Sequence, residues 1–264
     1  MQPLTSGIPR AVVFSAVLYL IPLSCMDPSL RYPRLDNRTP VALVSYALDR
    51  SIVLEGEERD DGEGGLVDRH LLKEDYYRFH RVAVQRCFEE FAKRIDTIFD
   101  VPFVPLDTIR TTPAYRRLTA REKKMVLGTD ITPGKRWLSP GGFNYVGEHE
   151  RETLDSLAGL WNAGALMLVE LRAGYQPRAP HIDSSTAMMK LAATITLVAP
   201  GEGRIWSWTY WSHSRESARL AGRAMDPANF ERLLVSAQEG VFPQLAQDVR
   251  RGREVRKESG DAGP

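Results

Sequence analysis

His181, Asp183 and Ser184 lie within four residues of one another and carry the side-chain types of an acyl-transfer relay. Such a relay needs a base, an orienting acid and a nucleophile to converge, and it is normally assembled from distant segments. Three residues this close in sequence fit an ordinary polar loop better. Ser139 stands in Ser-Pro-Gly-Gly, without the flanking glycines of a nucleophile elbow, and reads as a turn. His70 and Glu74 share a helical face at four-residue spacing, with His80 further along. A metal ion would need another ligand from elsewhere, and the sequence has no second histidine pair at ligand spacing, so a solvated helix face is expected. His149, flanked by Glu148, Glu150 and Glu152, reads as the charged start of a helix, where negative groups meet the positive end of the helix dipole. These groups predict no catalytic residue, no metal site and no cofactor.

The two cysteines, Cys25 and Cys87, sit in unlike surroundings. Cys87 falls in a helical pattern where a small buried apolar side chain fits. A disulfide or a shared metal between the two is disfavoured, because Cys25 has a different role available at the end of a leader. Residues 1–10 carry one positive charge, Arg10, and residues 11–23 (AVVFSAVLYLIPL) form an apolar run of thirteen. That run is short for a hydrocarbon core about 30 Å thick and suits the core of a signal peptide. Leu23-Ser24-Cys25 resembles the lipobox of bacterial lipoproteins, with Pro22 where an aliphatic residue is usual. Lipidated export is favoured over plain cleaved export and over a short membrane anchor or buried strand. On the favoured reading, 1–24 is the signal peptide and Cys25 the lipidated first residue of the mature chain. Residues 25–40, rich in proline and polar groups, are then a tether. More than one acyl chain gives stable anchoring. Met26, rather than an aspartate, after Cys25 favours the outer membrane.

Trp206, Trp208, Tyr210 and Trp211 form the densest aromatic group, with Tyr175 upstream. In a strand over 204–211, Trp206, Trp208 and Tyr210 fall on one face and Trp211 on the other. One face is expected to pack under a helix, and the five residues are the candidate interaction surface.

The elements that must position this strand occupy 153–211. Thr153 is placed to cap a helix whose apolar positions Leu154, Leu157, Ala158, Leu160 and Trp161 follow a three-and-four spacing. Asn162 and Gly164 stop it. Residues 165–171 (ALMLVEL) read as a strand covered on both faces, and 188–198 as a strand with Leu191, Ala193, Ile195 and Leu197 on its buried side. Pro200, Gly201, Glu202 and Gly203 supply the turn of a hairpin into 204–211. Upstream, 41–48 reads as a strand, 49–65 as an acidic mobile loop, and 71–98 as a long helix with Leu72, Tyr76, Phe79, Val82, Ala83, Cys87, Phe91 and Ile95 as its stripe. Residues 99–109 read as a strand weakened by two prolines, 113–124 as a short helix and 128–147 as an irregular loop. One final helix is expected from Asp226 and Pro227 to about Val249, then a polar tail over 250–264. This order predicts an α/β fold: a single mixed sheet of about five strands packed by the long helix and the C-terminal helix, over residues 41–249.

At 264 residues with 43% apolar content, the chain can bury a sizeable core. It has 35 basic and 34 acidic residues, and only Arg10 falls in the first 24, so the remainder balances at 34 each. A neutral body exerts no global pull on nucleic acid or on an anionic membrane. The basic residues Arg250, Arg251, Arg253, Arg256 and Lys257 are interleaved with Asp248, Glu254 and Glu258 and read as a solvated terminus.

The lipobox-like start, Pro113-Ala114-Tyr115, the passage LAGLWNAGALMLVEL and the turn followed by Arg204-Ile205-Trp206-Ser207 together resemble the envelope lipoproteins related to the TolB amino-terminal domain and to the curli-secretion lipoprotein. The likeness covers about residues 41–249. It implies a non-enzymatic periplasmic domain, held to a membrane through its lipid, that assembles with itself or binds other envelope proteins. No catalytic residues come with it. The alternative is an envelope hydrolase whose site is built from distant residues, such as His181 or His149 with a remote acid.

Overall fold

The computed structural model describes residues 33, 35, 38–49, 53–54, 73–118, 137–177, 186–221 and 224–258. The leader with Cys25, the acidic segment 55–65, His70 and the group His181, Asp183 and Ser184 lie outside the described residues.

The chain forms the expected α/β fold. Strand β1 (Val41–Asp49) is followed by the two-residue β2 (Val53–Leu54), the long helix α1 (Lys73–Phe99) and short helices α2 (Leu106–Thr111) and α3 (Pro113–Leu118). Then come β3 (Trp137–Leu138), α4 (Arg151–Trp161), β4 (Ala165–Pro177), β5 (Thr186–Ala199), β6 (Gly203–Ala221), β7 (Ala224–Met225), α5 (Pro227–Glu239) and α6 (Val241–Glu258). One mixed sheet runs β3-β1-β4-β5-β6-β7, with β2 also on β4. β1 and β4 are parallel, so the chain between them must cross the sheet, and α1 lies in that crossover. β4, β5 and β6 form an antiparallel meander.

The predicted periodicities decide which side each strand buries. Leu191, Ala193, Ile195 and Leu197 are buried, and Thr194 pairs across to Thr209 on the opposite face. α1 and α5 pack side by side over the buried face. Tyr46 of β1 meets Phe88 and Phe91 of α1 at 5.4 and 5.5 Å between ring centroids, and its hydroxyl donates to Gln238 Oε1 of α5 at 2.7 Å. Asn162, with φ of 49°, closes α4 in the left-handed conformation its small polar side chain tolerates.

Five expectations need correction. Residues 99–109 are not a strand: α1 runs on to Phe99, Pro102 and Pro105 cannot donate to a ladder, and only Phe103 bridges β1, at Val41. The expected final helix is two, because Pro243 cannot donate to the carbonyl of Glu239 and its ring crowds that carbonyl, so α5 ends there and α6 restarts. Residues 250–258 continue α6. α4 starts at Arg151 with Glu150 before it, so Thr153 lies inside the helix and caps nothing. Val82 and Leu160, assigned to buried stripes, are 54% and 57% exposed; Val84, Phe88 and Phe99 are among the residues that carry the inner face of α1.

Candidate functional site

The aromatic strand is divided by the helices that cover it. Trp206 and Tyr210 are 2% exposed and Tyr175 is 3% exposed, all on the helix-covered face. Tyr175 packs edge-on against Phe230 of α5, with centroids 6.5 Å apart. The Tyr210 hydroxyl donates to Asp248 Oδ2 of α6 at 3.1 Å. Burial, and then the negative charge of Asp248, push that hydroxyl well above the usual tyrosine range. These three residues hold the helices on the sheet and present no surface. Trp208, on the same face, stays 37% exposed at the sheet edge. Trp211, on the opposite face, is 57% exposed, with Lys190 Nζ 5.1 Å from its ring centroid. Of the five candidates, Trp208 and Trp211 remain available for contact.

The face that bears Trp211 is a polar sheet surface. Thr194 and Thr209 hydroxyls meet at 2.8 Å, as do those of Thr196 and Ser207. Toward β1 this face is covered: Tyr145 donates to Glu170 Oε1 at 3.0 Å, Trp137 stacks on Tyr145 at 4.7 Å, and the Val146 amide donates to Ser45 Oγ at 3.2 Å.

The two sheet edges differ. The outer edge of β1 is closed by the Val41 amide on Pro102 O, the Val104 amide on Val41 O, the Tyr115 hydroxyl on Val44 O, and β3 at Leu48 and Asp49. The outer edge of β6 is closed in places: Gln244 Nε2 donates to Trp211 O at 3.0 Å, the Arg215 amide donates to Ser236 Oγ at 3.1 Å, and β7 pairs with Leu220 and Ala221.

A second feature, with no signal in the sequence, is the entry of the chain into the domain. Arg38 donates two hydrogen bonds to the Glu202 carboxylate, at 2.8 and 2.7 Å, and the Gly164 amide donates to Pro40 O at 3.0 Å. The segment before β1 is thereby fixed to the β5–β6 turn and to the start of β4. The partners are 164 residues apart in the chain, and no local pattern joins them.

The described chemical candidates do not converge. Ser139 is half-buried after β3, His149 is exposed, and His80 is buried with its ring 4.3 Å from that of Phe230. Among the described residues no three His, Cys, Asp or Glu side chains are grouped as a metal would require. Cys87 is buried under α5, and burial pushes its thiol well above the ordinary range, which keeps it in the unreactive protonated form. A groove of about 520 Å³ between α1, α5 and β6 is lined by Arg86, Arg215, Arg232, Glu216, Glu231 and Glu239. Arg215 meets Glu239 at 3.8 Å and Arg232 pairs with Glu216, so its charges answer one another and select no ligand charge. No helix among the described residues is long and apolar enough to cross a membrane.

No family model matches the sequence, and no curated protein matches it. Among solved structures, the rare lipoprotein B from Shewanella oneidensis overlaps 42% of this chain and 86% of its own, at 11% identity and a TM-score of 0.18. A likeness of that size carries no argument, so the reading of this chain rests on its own residues.

Proposed function

We propose that this chain is an exported, lipid-anchored envelope protein that works by binding, as an assembly or interaction factor, and not by catalysis. The observation that carries the reading is the leader: an apolar run of thirteen residues ending in Leu23-Ser24-Cys25. The sequence likeness to the TolB-related and curli-secretion lipoproteins points the same way. The geometry is compatible with it, because the clamped segment at Arg38 lies thirteen residues after Cys25, and a chain of that length reaches at most about 45 Å. The exposed Trp208, at the edge of the helix-covered face, and Trp211, on the polar face, supply apolar contact area of the kind interfaces use.

The test is expression in a diderm bacterium with a clickable fatty acid, comparing wild type with Cys25→Ala by membrane fractionation and intact mass. Label and membrane retention are expected in the wild type and absent in the variant. An unlabelled, uncleaved product would sink the proposal. Crosslinking from position 211 then identifies what the domain touches.

A further inference from the structure

We infer that β6 pairs with β6 of a second copy of this chain, antiparallel across its outer edge, about a two-fold axis at Trp208. The inference deepens the binding role proposed above by naming one partner, although its geometry does not depend on the anchor.

In an antiparallel meander, alternate residues turn their backbone groups to alternate neighbours. The carbonyl of Trp211 faces away from β5, since it accepts from Gln244 of α6. The register between β5 and β6 is regular from Leu197↔Trp206 to Ala192↔Trp211, so Ser207 and Thr209 face outward as well. Neither of these two has a backbone partner among the described residues. The opposite edge of the sheet is closed along β1, and β6 is closed at Trp211, at Arg215 and at Leu220. What remains open is a short regular stretch centred on Trp208.

Between the bulge at Ile205 and the Gln244 contact at Trp211, neither charge nor proline guards the edge. Residues 205–212 (IWSWTYWS) contain no charge and no proline. It is also self-complementary. An axis at Trp208 opposes Ser207 to Thr209 of the second copy and Thr209 to its Ser207, two hydrogen-bonded pairs with all four residues facing outward. It opposes Trp208 to Trp208 in the close, non-hydrogen-bonded position, covering an indole that is 37% exposed. On the other face, the hydroxyl rungs Thr196–Ser207 and Thr194–Thr209 continue into the neighbour's Thr209 and Ser207. An axis one residue earlier would use Ile205, where β6 is bulged against β5, and so would break the ladder.

The experiment uses the full chain carrying Cys25→Ala, leaving buried Cys87 as the sole native thiol. Sedimentation over a concentration series is expected to show a monomer–dimer equilibrium. Trp208→Cys should give a disulfide-linked dimer on mild oxidation, because the axis places the two 208 positions within bonding range, whereas Ser207→Cys, opposite Thr209, should not. Thr209→Lys should weaken dimerisation by roughly tenfold or more at unchanged circular dichroism, since it places a charge beside each edge. A chain that stays monomeric, or a dimer that ignores Thr209→Lys and forms no 208–208 disulfide, overturns the inference. If Trp208→Cys does not fold, Thr209→Lys decides alone. A monomeric chain, together with a wild type that is fatty-acylated and crosslinks to other envelope proteins, removes this inference and leaves the function standing. A dimer of this chain, together with a wild type that takes no label, does the reverse.

Discussion

At the scale of single residues, Tyr115 shows how one hydroxyl can seal a sheet edge. It is fully buried, donates to Val44 O on β1, and accepts from the Asn144 amide at 3.0 Å, while Asn144 Nδ2 donates to Tyr115 O at 2.8 Å. Burial pushes the hydroxyl well above the usual tyrosine range, so it stays a donor at any physiological pH. Tyr115→Phe keeps the ring packing on Trp161 and Phe143 but strands a buried carbonyl and a buried amide. The expected cost is about 1–3 kcal/mol in urea unfolding, with an unchanged m-value. A loss below about 0.5 kcal/mol would mean that the two backbone groups find other partners. Pro113-Ala114-Tyr115 drew notice in the sequence only as part of a resemblance. Its role was not legible there, because Val44 is 71 residues away.

Among elements, the α5–α6 corner does the positioning. Asp226 caps α5 by accepting from the Ala228 and Asn229 amides at 3.0 and 3.2 Å, with Pro227 in the first turn. Gly240 ends α5 where a Cβ would stand 2.1 Å from Ser212 Oγ of β6. Gly240→Ala is therefore expected to turn the Ser212 hydroxyl aside and press on its Cβ, 3.3 Å away, destabilising the fold by about 1 kcal/mol, while Gly201→Ala serves as the contrast, since its penalty comes from backbone φ and not from contact. The start of α5 was readable from Asp226 and Pro227, and the hairpin from Pro200 to Gly203, because caps and turns are local chemistry. Alternation likewise separated Trp211 from Trp206 on β6. It did not reveal that α6 crosses Tyr210 and buries it, nor that β6 runs on to Ala221 near the edge of the sheet, because coverage and pairing are decided by other segments. The same limit explains residues 99–109, whose apolar run resembles a strand while its prolines refuse the ladder.

For the whole molecule, the decisive contact is the clamp between Arg38 and Glu202. The two hydrogen bonds from Arg38 hold the Glu202 carboxyl below the ordinary carboxylate range. A depressed value means that the clamp contributes above the unfolded-state value, roughly 4.3 for a free glutamate, and is lost as pH falls through the lower folded one. An NMR titration of the Arg38 side chain should accordingly show a midpoint below that of free glutamate, and Glu202→Gln should abolish the transition. A midpoint at or above the free value would show the clamp to be absent in solution. The clamp also has a mechanical consequence. A pull on the N-terminal residues is taken first by Arg38 and Glu202, and by Gly164 on Pro40, and only then reaches β1. β1 lies inside the sheet, and seven of its residues pair with β4 from Val41 to Leu48, so tension along its axis loads those hydrogen bonds together in shear and cannot unzip them one at a time. Drag on the body is thus resisted by the strongest direction of the sheet, while the free edge of β6, at the far side, carries none of it.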